Sequence, residues 1–189
     1  MFTYRMNLNL PNALTILRIA LIPIIVLLFT SGDDYSRFLA FILFLIASIT
    51  DYLDGLLARY MKQQTNFGEF LDPIADKLLV IITLILLISE NQDIFFLVPT
   101  LVIITREFLV IAIRQRLAEV GDNKKLSVLL VSKIKTTLQL VSLLFLLYKF
   151  PILGYNVYWF GTILLQISAL LTLISFFYYV KNSWNVIIK

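Results

Sequence analysis

The chain has 189 residues, of which 60% are hydrophobic and 15% are charged, a composition that lies outside the range of soluble domains and indicates an integral membrane protein. It contains no cysteine and no histidine, which excludes disulfides, thiolate metal sites and any catalysis that needs a cysteine nucleophile or an imidazole base. The net charge is +4, and the basic residues flank apolar segments, so that anionic lipid or phosphate is expected as their partner and nucleic acid is not.

The apolar runs predict six membrane-spanning helices in one all-α, up-and-down domain. The first helix is expected to begin near Asn9 or Asn12, beside Pro11. Because Arg18 interrupts the first apolar run and no convincing cleavage site follows it, this segment is expected to be a span of the mature protein and not a signal peptide. The expected spans are 13–30, 36–60, 69–89, 94–117, 133–149 and 157–180.

The second and third spans are predicted to contain charged residues. The uncharged runs at 38–50 and 78–89 are both shorter than the roughly 20 residues that cross a bilayer. The second helix is therefore expected to continue through Asp51 to Arg59, and the third to include Asp72, Asp76 and Lys77.

Polar residues occur at the start of the first, third and fifth spans and at the end of the second and fourth. An up-and-down bundle places these ends on one side of the membrane, which predicts a polar cavity there. Nearly all of the 16 lysines and arginines lie at these ends, at their connections or at the termini. By the positive-inside rule, the cavity and both termini are expected to face the cytoplasm.

Four aspartates stand within the predicted spans. Asp51 and Asp54 are three residues apart, and Asp72 and Asp76 are four apart, so each pair lies on one face of its helix. The short polar connection between the two helices favours an antiparallel pair, in which all four carboxylates converge. Unpaired carboxylates at membrane depth are costly, and their oxygens suit Mg²⁺ or Mn²⁺. The sequence therefore predicts a two-metal site.

Two features nearby have plainer interpretations. Asp72 before Pro73 is typical of a helix N-cap followed by proline in the first turn, which would account for one aspartate of the four. Gly55 and Ala58 share a helix face where a flat base or a backbone segment would fit, but small residues at this spacing are also a common device for helix packing.

The aspartates belong to a longer pattern of eight residues. It resembles the signature D-x2-D-G-x2-A-R-x8-G-x3-D-x3-D of the CDP-alcohol phosphotransferases, with every position filled. The eight residues are Asp51, Asp54, Gly55, Ala58, Arg59, Gly68, Asp72 and Asp76. The resemblance implies six transmembrane helices, usually in a homodimer, and an enzyme that joins a CDP-linked lipid, usually CDP-diacylglycerol, to an alcohol and releases CMP.

A second, basic cluster is expected on spans four and five, at the same side of the membrane. Its members are Arg106, Arg114, Lys133 and Lys135. Basic side chains that snorkel from helix ends are common, but four of them beside Thr136 and Thr137 favour an anionic ligand. The segments TREFLVIAIRQRLAEVG, SKIKTTLQ and NLPNALTILR resemble those of the bacterial phosphatidylglycerophosphate synthases. One departure is Ser132, at a position where that subfamily is expected to have glycine.

This resemblance implies a reaction between CDP-diacylglycerol and glycerol 3-phosphate in the bacterial cytoplasmic membrane. Asp51, Asp54 and Asp72 would hold two divalent cations, with Asp76 as a further ligand and the general base. The basic cluster would bind the acceptor's phosphate, and the lipid tails would extend sideways into the bilayer. The residues expected to contact the nucleotide and pyrophosphate are Asn12, Thr15, Arg18, Gly55, Ala58, Arg59 and Gly68.

Two alternatives stay open at this point. The same chemistry with another acceptor, such as serine or inositol phosphate, fits the aspartate signature equally well. A cation or proton transporter would also use an acidic cluster, but transporters typically show broken helices in paired repeats, and no such pairing is visible in the sequence.

Overall fold

The computed structural model describes residues 9–60, 65–119 and 130–187, and these residues form six α-helices. They are α1 (Leu10–Thr30), α2 (Asp34–Tyr60), α3 (Asn66–Glu90), α4 (Ile94–Glu119), α5 (Leu130–Tyr148) and α6 (Val157–Ile187). Within the described ranges the only β contact is an isolated bridge between Ile152 and Tyr155. The predicted all-α class is therefore confirmed.

Three of the described helices are long and apolar enough to cross a membrane. They contain the stretches Asn12–Thr30, Ile94–Leu117 and Val157–Trp184, and a shorter apolar stretch occupies Ile134–Tyr148. Large apolar side chains such as Leu27, Phe70 and Phe177 are about 70% exposed, as expected for surfaces that face lipid. The chain is an integral membrane protein, and the count of six spans stays a prediction.

The helix ends differ from the predicted spans by a few residues, and local capping explains two of the differences. Asp33 precedes α2, and its Oδ2 accepts the Ser36 N–H at 2.8 Å. This hydrogen bond stabilises the charged carboxylate and holds the pKa of Asp33 below its ordinary value. α3 begins three residues before its predicted start because Thr65 caps it, with Oγ1 accepting the Gly68 N–H at 3.0 Å. The interpretation of Asp72 as an N-cap is therefore wrong, since Asp72 and Pro73 lie inside the helix.

The chain divides into two compact units, residues 1–86 and 87–189. In the first unit α1 packs against α2, and the core includes Ile25, Phe29 and Phe44. The guanidinium of Arg37 lies 4.7 Å from the centre of the Phe29 ring, a cation–π contact that lets a buried arginine pack in an apolar environment.

In the second unit α6 packs against both α4 and α5. A Cβ atom at Gly161 would lie 2.9 Å from Leu146 Cγ, so glycine permits the close approach of α5 and α6 here. Ser142 Oγ donates to the Gly161 carbonyl at 2.8 Å across the same interface. At one end of this unit, Lys149 pairs with Glu90 and Asn91 Nδ2 donates to Tyr158 Oη at 3.1 Å.

Candidate active site

Three polar residues on one face of α1 form the base of the site in the first unit. Asn12, Thr15 and Arg18 are each one helical turn apart, and each is at least 97% buried. Buried polar groups are costly unless they are hydrogen-bonded or paired. The partners of these side chains therefore show which residues α1 holds in place.

Arg18 pairs with the first aspartate of the signature. Its Nη1 lies 2.6 Å from Asp51 Oδ1, and its side chain is fully buried, whereas that of Asp51 is 38% exposed. A buried arginine is strongly destabilising without a counter-charge. The pair therefore fixes the Asp51 carboxylate against α1.

Thr15 reaches the third aspartate of the signature. Its hydroxyl donates to Asp72 Oδ1 at 2.5 Å, which connects α1 to α3. The carboxylates of Asp51 and Asp72 are close enough for their charges to repel each other. α1 thus holds together two carboxylates from two different helices.

Asn12 lies on the same face of α1 and contacts residues at the start of α3. Its Nδ2 donates to Thr65 Oγ1 at 2.9 Å, and Thr65 Oγ1 lies 3.0 Å from Asn12 Oδ1. A Cβ atom at Gly68 would lie 2.5 Å from Asn12 Oδ1, so a larger residue here would displace the Asn12 amide. Asn12, Thr65 and Gly68 form a clamp between the starts of α1 and α3, which we call the α1–α3 clamp.

The second unit contains a separate charged cluster on α4 and α5. Lys135 Nζ lies 2.6 Å from Glu107 Oε1, and Arg106 Nη1 lies 3.0 Å from the same oxygen. Arg106 Nη2 is also 3.5 Å from Ser175 Oγ of α6. The structure brings Arg106 and Lys135 to the same carboxylate oxygen, whereas Arg114 is exposed further along α4.

Comparisons with known proteins identify the family. The family model described as CDP-alcohol phosphatidyltransferase matches residues 8–180. The chain belongs to the CDP-alcohol phosphatidyltransferase family. It is 40% identical over 178 residues to a protein of Haemophilus influenzae, covering 93% of this chain and 94% of the relative.

Two other relatives are similar over almost their whole length. A protein of Wigglesworthia glossinidia brevipalpis is 37% identical over 180 residues, covering 95% of this chain and 97% of the relative. A protein of Yersinia enterocolitica is 38% identical over 185 residues, covering 97% and 100%. All three relatives are named CDP-diacylglycerol–glycerol-3-phosphate 3-phosphatidyltransferase.

CDP-alcohol phosphatidyltransferases generally use a divalent metal, and the described donor set fits one. Asp51 and Asp72 offer carboxylate oxygens near each other, the type of ligand that Mg²⁺ and Mn²⁺ prefer, and the chain has no cysteine or histidine to favour a softer metal. Among the side chains that the structure describes, no three acidic residues lie close enough to share an ion. Asp54 lies outside those side chains, and Asp76 is half-buried on α3 one turn after Asp72.

The structure describes the side chains of some of the remaining predicted site residues but not of others. The side chains of Gly55, Ala58, Arg59 and Lys133 lie outside the described residues, although α2 continues through this part of the signature. Asn12, Thr15, Arg18 and Gly68 have partners within the protein, and their contact with a nucleotide stays a prediction. Sequence reasoning missed the roles of Thr65, Glu107 and Ser175. Glu107 was visible as an acidic residue beside Arg106 in an apolar span.

Replacing Gly68 with alanine is expected to break the α1–α3 clamp. The new methyl group would displace the Asn12 amide from Thr65, and a buried amide left without its partner lowers the free energy of unfolding by about 1 to 3 kcal/mol. Thermal unfolding of the purified protein in detergent measures the loss. The double variant Asn12→Ala, Gly68→Ala removes the obstructing amide, so it should be no less stable than Asn12→Ala alone. Additive losses in the double variant would contradict the clamp.

Proposed function

We propose that this protein transfers the phosphatidyl group of CDP-diacylglycerol to the 1-hydroxyl of glycerol 3-phosphate, giving phosphatidylglycerophosphate and CMP. The observation that carries the proposal is the pairing of α1 with two signature carboxylates, through Arg18 with Asp51 and Thr15 with Asp72. The names of relatives that align over nearly the whole chain support the choice of substrates.

Two divalent cations, Mg²⁺ or Mn²⁺, are proposed as cofactors. Asp51, Asp54 and Asp72 would hold them, with Asp76 as a further ligand. When bound, such ions neutralise the charge of the pyrophosphate and of the departing CMP. The contribution of α1 is to keep the Asp51 and Asp72 carboxylates oriented before any ligand arrives, because Arg18 pairs with Asp51 and Thr15 donates to Asp72.

In the proposed reaction the acceptor's hydroxyl oxygen bonds to the phosphorus that carries diacylglycerol. The bond from that phosphorus to the oxygen shared with CMP breaks, and CMP leaves with the bonding electrons. Asp76 takes the hydroxyl proton, since the chain has no histidine for this task. The residues proposed for the nucleotide and pyrophosphate are Asn12, Thr15, Arg18, Gly55, Ala58, Arg59 and Gly68.

The acceptor's phosphate is proposed to bind the basic cluster of Arg106, Arg114, Lys133 and Lys135. Of these, Arg106 and Lys135 carry the stronger structural support. They come from different helices, and both are directed to one point, the Oε1 atom of Glu107. A phosphate group presents several oxygens and can accept from both cations at once.

The site and both termini are proposed to face the cytoplasm, and the active form is proposed to be a homodimer. Because the chain has no cysteine, single cysteines can report the orientation. A cysteine at exposed Asn182 should react with an impermeant thiol reagent only after cells are opened, whereas one at exposed Gln92 should react in intact cells. The reverse pattern would contradict the orientation.

The function is tested by measuring CMP release from CDP-diacylglycerol by the purified protein with a panel of acceptors. Glycerol 3-phosphate should support release in the presence of Mg²⁺ or Mn²⁺, whereas serine, inositol phosphate and glycerol should not. Release that depends on one of the other acceptors would contradict the acceptor assignment. No release with any acceptor would contradict the proposed reaction.

A further inference from the structure

Glu107 occupies the place in the second unit where two cations meet. Lys135 of α5 and Arg106 of α4 are both directed to one oxygen of its carboxylate, Oε1, at 2.6 and 3.0 Å. A single oxygen that accepts from two cationic donors can be replaced by another anionic ligand. A ligand with more oxygens and more negative charge, such as a phosphate, can accept from both donors in its place.

The Lys135 ammonium is less accessible than the carboxylate with which it pairs. The Lys135 side chain is 1% exposed and that of Glu107 is 13% exposed, so the carboxylate is the more accessible member of the pair. The Ser168 hydroxyl donates to the Lys135 backbone carbonyl at 3.2 Å, which fixes this part of α5 against α6. The lysine backbone is therefore held in place, and the glutamate side chain is the part that can exchange.

Two buried polar atoms beside the cluster have no hydrogen-bond partner among the described residues. They are Arg106 Nε on α4 and Thr172 Oγ1 on α6, one turn before the Ser175 that contacts Arg106. Unsatisfied buried donors are rare in folded proteins and cost free energy. An anion with several oxygens bound at Arg106 would offer its Nε an acceptor that the Glu107 carboxylate does not supply.

We infer that Glu107 is a positioning residue that holds Lys135 and Arg106 while the acceptor site is empty and is displaced by the acceptor's phosphate. This inference rests on the proposed function and deepens it, since it names the residue that sets the affinity for the phosphorylated acceptor. Because the carboxylate competes with the phosphate for the same two cations and repels it, Glu107 weakens phosphate binding and assists release of the phosphorylated product.

The test compares Glu107→Gln with wild type. The amide keeps the shape of the side chain and removes its negative charge, so phosphate no longer competes with a carboxylate. We expect the inhibitory concentration of inorganic phosphate and the KM for glycerol 3-phosphate to fall by about three- to tenfold, the range for a partly screened charge interaction. The matched control is Glu119→Gln on the same helix, where Glu119 forms an exposed pair with Arg116 at 3.3 Å. The control should leave both values at the wild-type level.

Unchanged or raised values in Glu107→Gln would overturn the inference, because a residue that only supports the fold or the cations would weaken phosphate binding when altered. If Glu107→Gln does not yield folded protein, Glu107→Asp keeps the charge but shortens the reach. It should also lower the inhibitory concentration of phosphate, and no decrease would overturn the inference. Protection from thermal unfolding by inorganic phosphate reports the same binding without turnover. Failure of the proposed function is distinguishable from failure of this inference, because the wild type would then show no turnover with glycerol 3-phosphate.

Discussion

Asp76→Asn is expected to lower the rate of CMP release by about 10²- to 10⁴-fold, the contribution typical of a general base. Asparagine has nearly the same shape but cannot accept the proton from the acceptor's hydroxyl. Asp76 lies on α3 one turn beyond Asp72, whose position Thr15 holds, so the substitution alters the chemistry next to an ordered carboxylate. Single-turnover measurement of CMP release with the purified variant gives the rate of the chemical step.

The control for this variant is Asp34→Asn, an exposed aspartate in the first turn of α2 in the same unit. It should release CMP at the wild-type rate. Asp76→Asn should still bind CDP-diacylglycerol when divalent metal is present, because the remaining aspartates are intact. A rate within tenfold of wild type would remove Asp76 from the role of base.

Arg18→Gln is expected to lower both stability and activity. Removing one partner of a fully buried ion pair costs about 3 to 5 kcal/mol, and the loss here is smaller because the Asp51 side chain is 38% exposed. Glutamine leaves Asp51 without the guanidinium that lies 2.6 Å from it, and a small misplacement of a catalytic group can lower a rate by about a hundredfold. Thermal unfolding in detergent and the rate of CMP release measure the two effects separately.

Arg37→Gln provides the matched control for Arg18→Gln. Arg37 is also a buried arginine in the first unit, but it packs on the Phe29 ring and lies about four helical turns before Asp51 on α2. Its replacement should lower stability and leave the rate of CMP release per folded molecule unchanged. Equal losses of rate in the two variants would mean that Arg18 acts only through the fold.

Much of the fold follows from periodicity and composition. The apolar runs predicted all six helices, and the need for about 20 residues per span correctly extended α2 through Asp51 and α3 over Asp72 and Asp76. The helix ends were less predictable because they depend on side-chain caps. The Thr65 cap of α3 competes with the more familiar aspartate–proline pattern seven residues later, and only the structure shows which one forms.

The sequence marks the residue types of the candidate site but not their pairings. The spacing of the aspartates marked Asp51 and Asp72, and the resemblance marked Thr15 and Arg18. That Thr15 pairs with Asp72 and Arg18 with Asp51 depends on how α1 aligns with α2 and α3, which no single segment encodes. Glu107 was missed for the same reason, since its link to Lys135 joins residues 28 positions apart.

The most direct test of the account is to follow labelled glycerol 3-phosphate into lipid. The purified protein would be supplied with CDP-diacylglycerol, Mg²⁺ or Mn²⁺ and the labelled acceptor, and the organic extract analysed by mass spectrometry. The account predicts phosphatidylglycerophosphate carrying the label, formed in equal amount to CMP and absent with Asp51→Asn or Asp72→Asn. Label that stays entirely in the aqueous phase while CMP is released, or a lipid product that lacks the second phosphate, would contradict it.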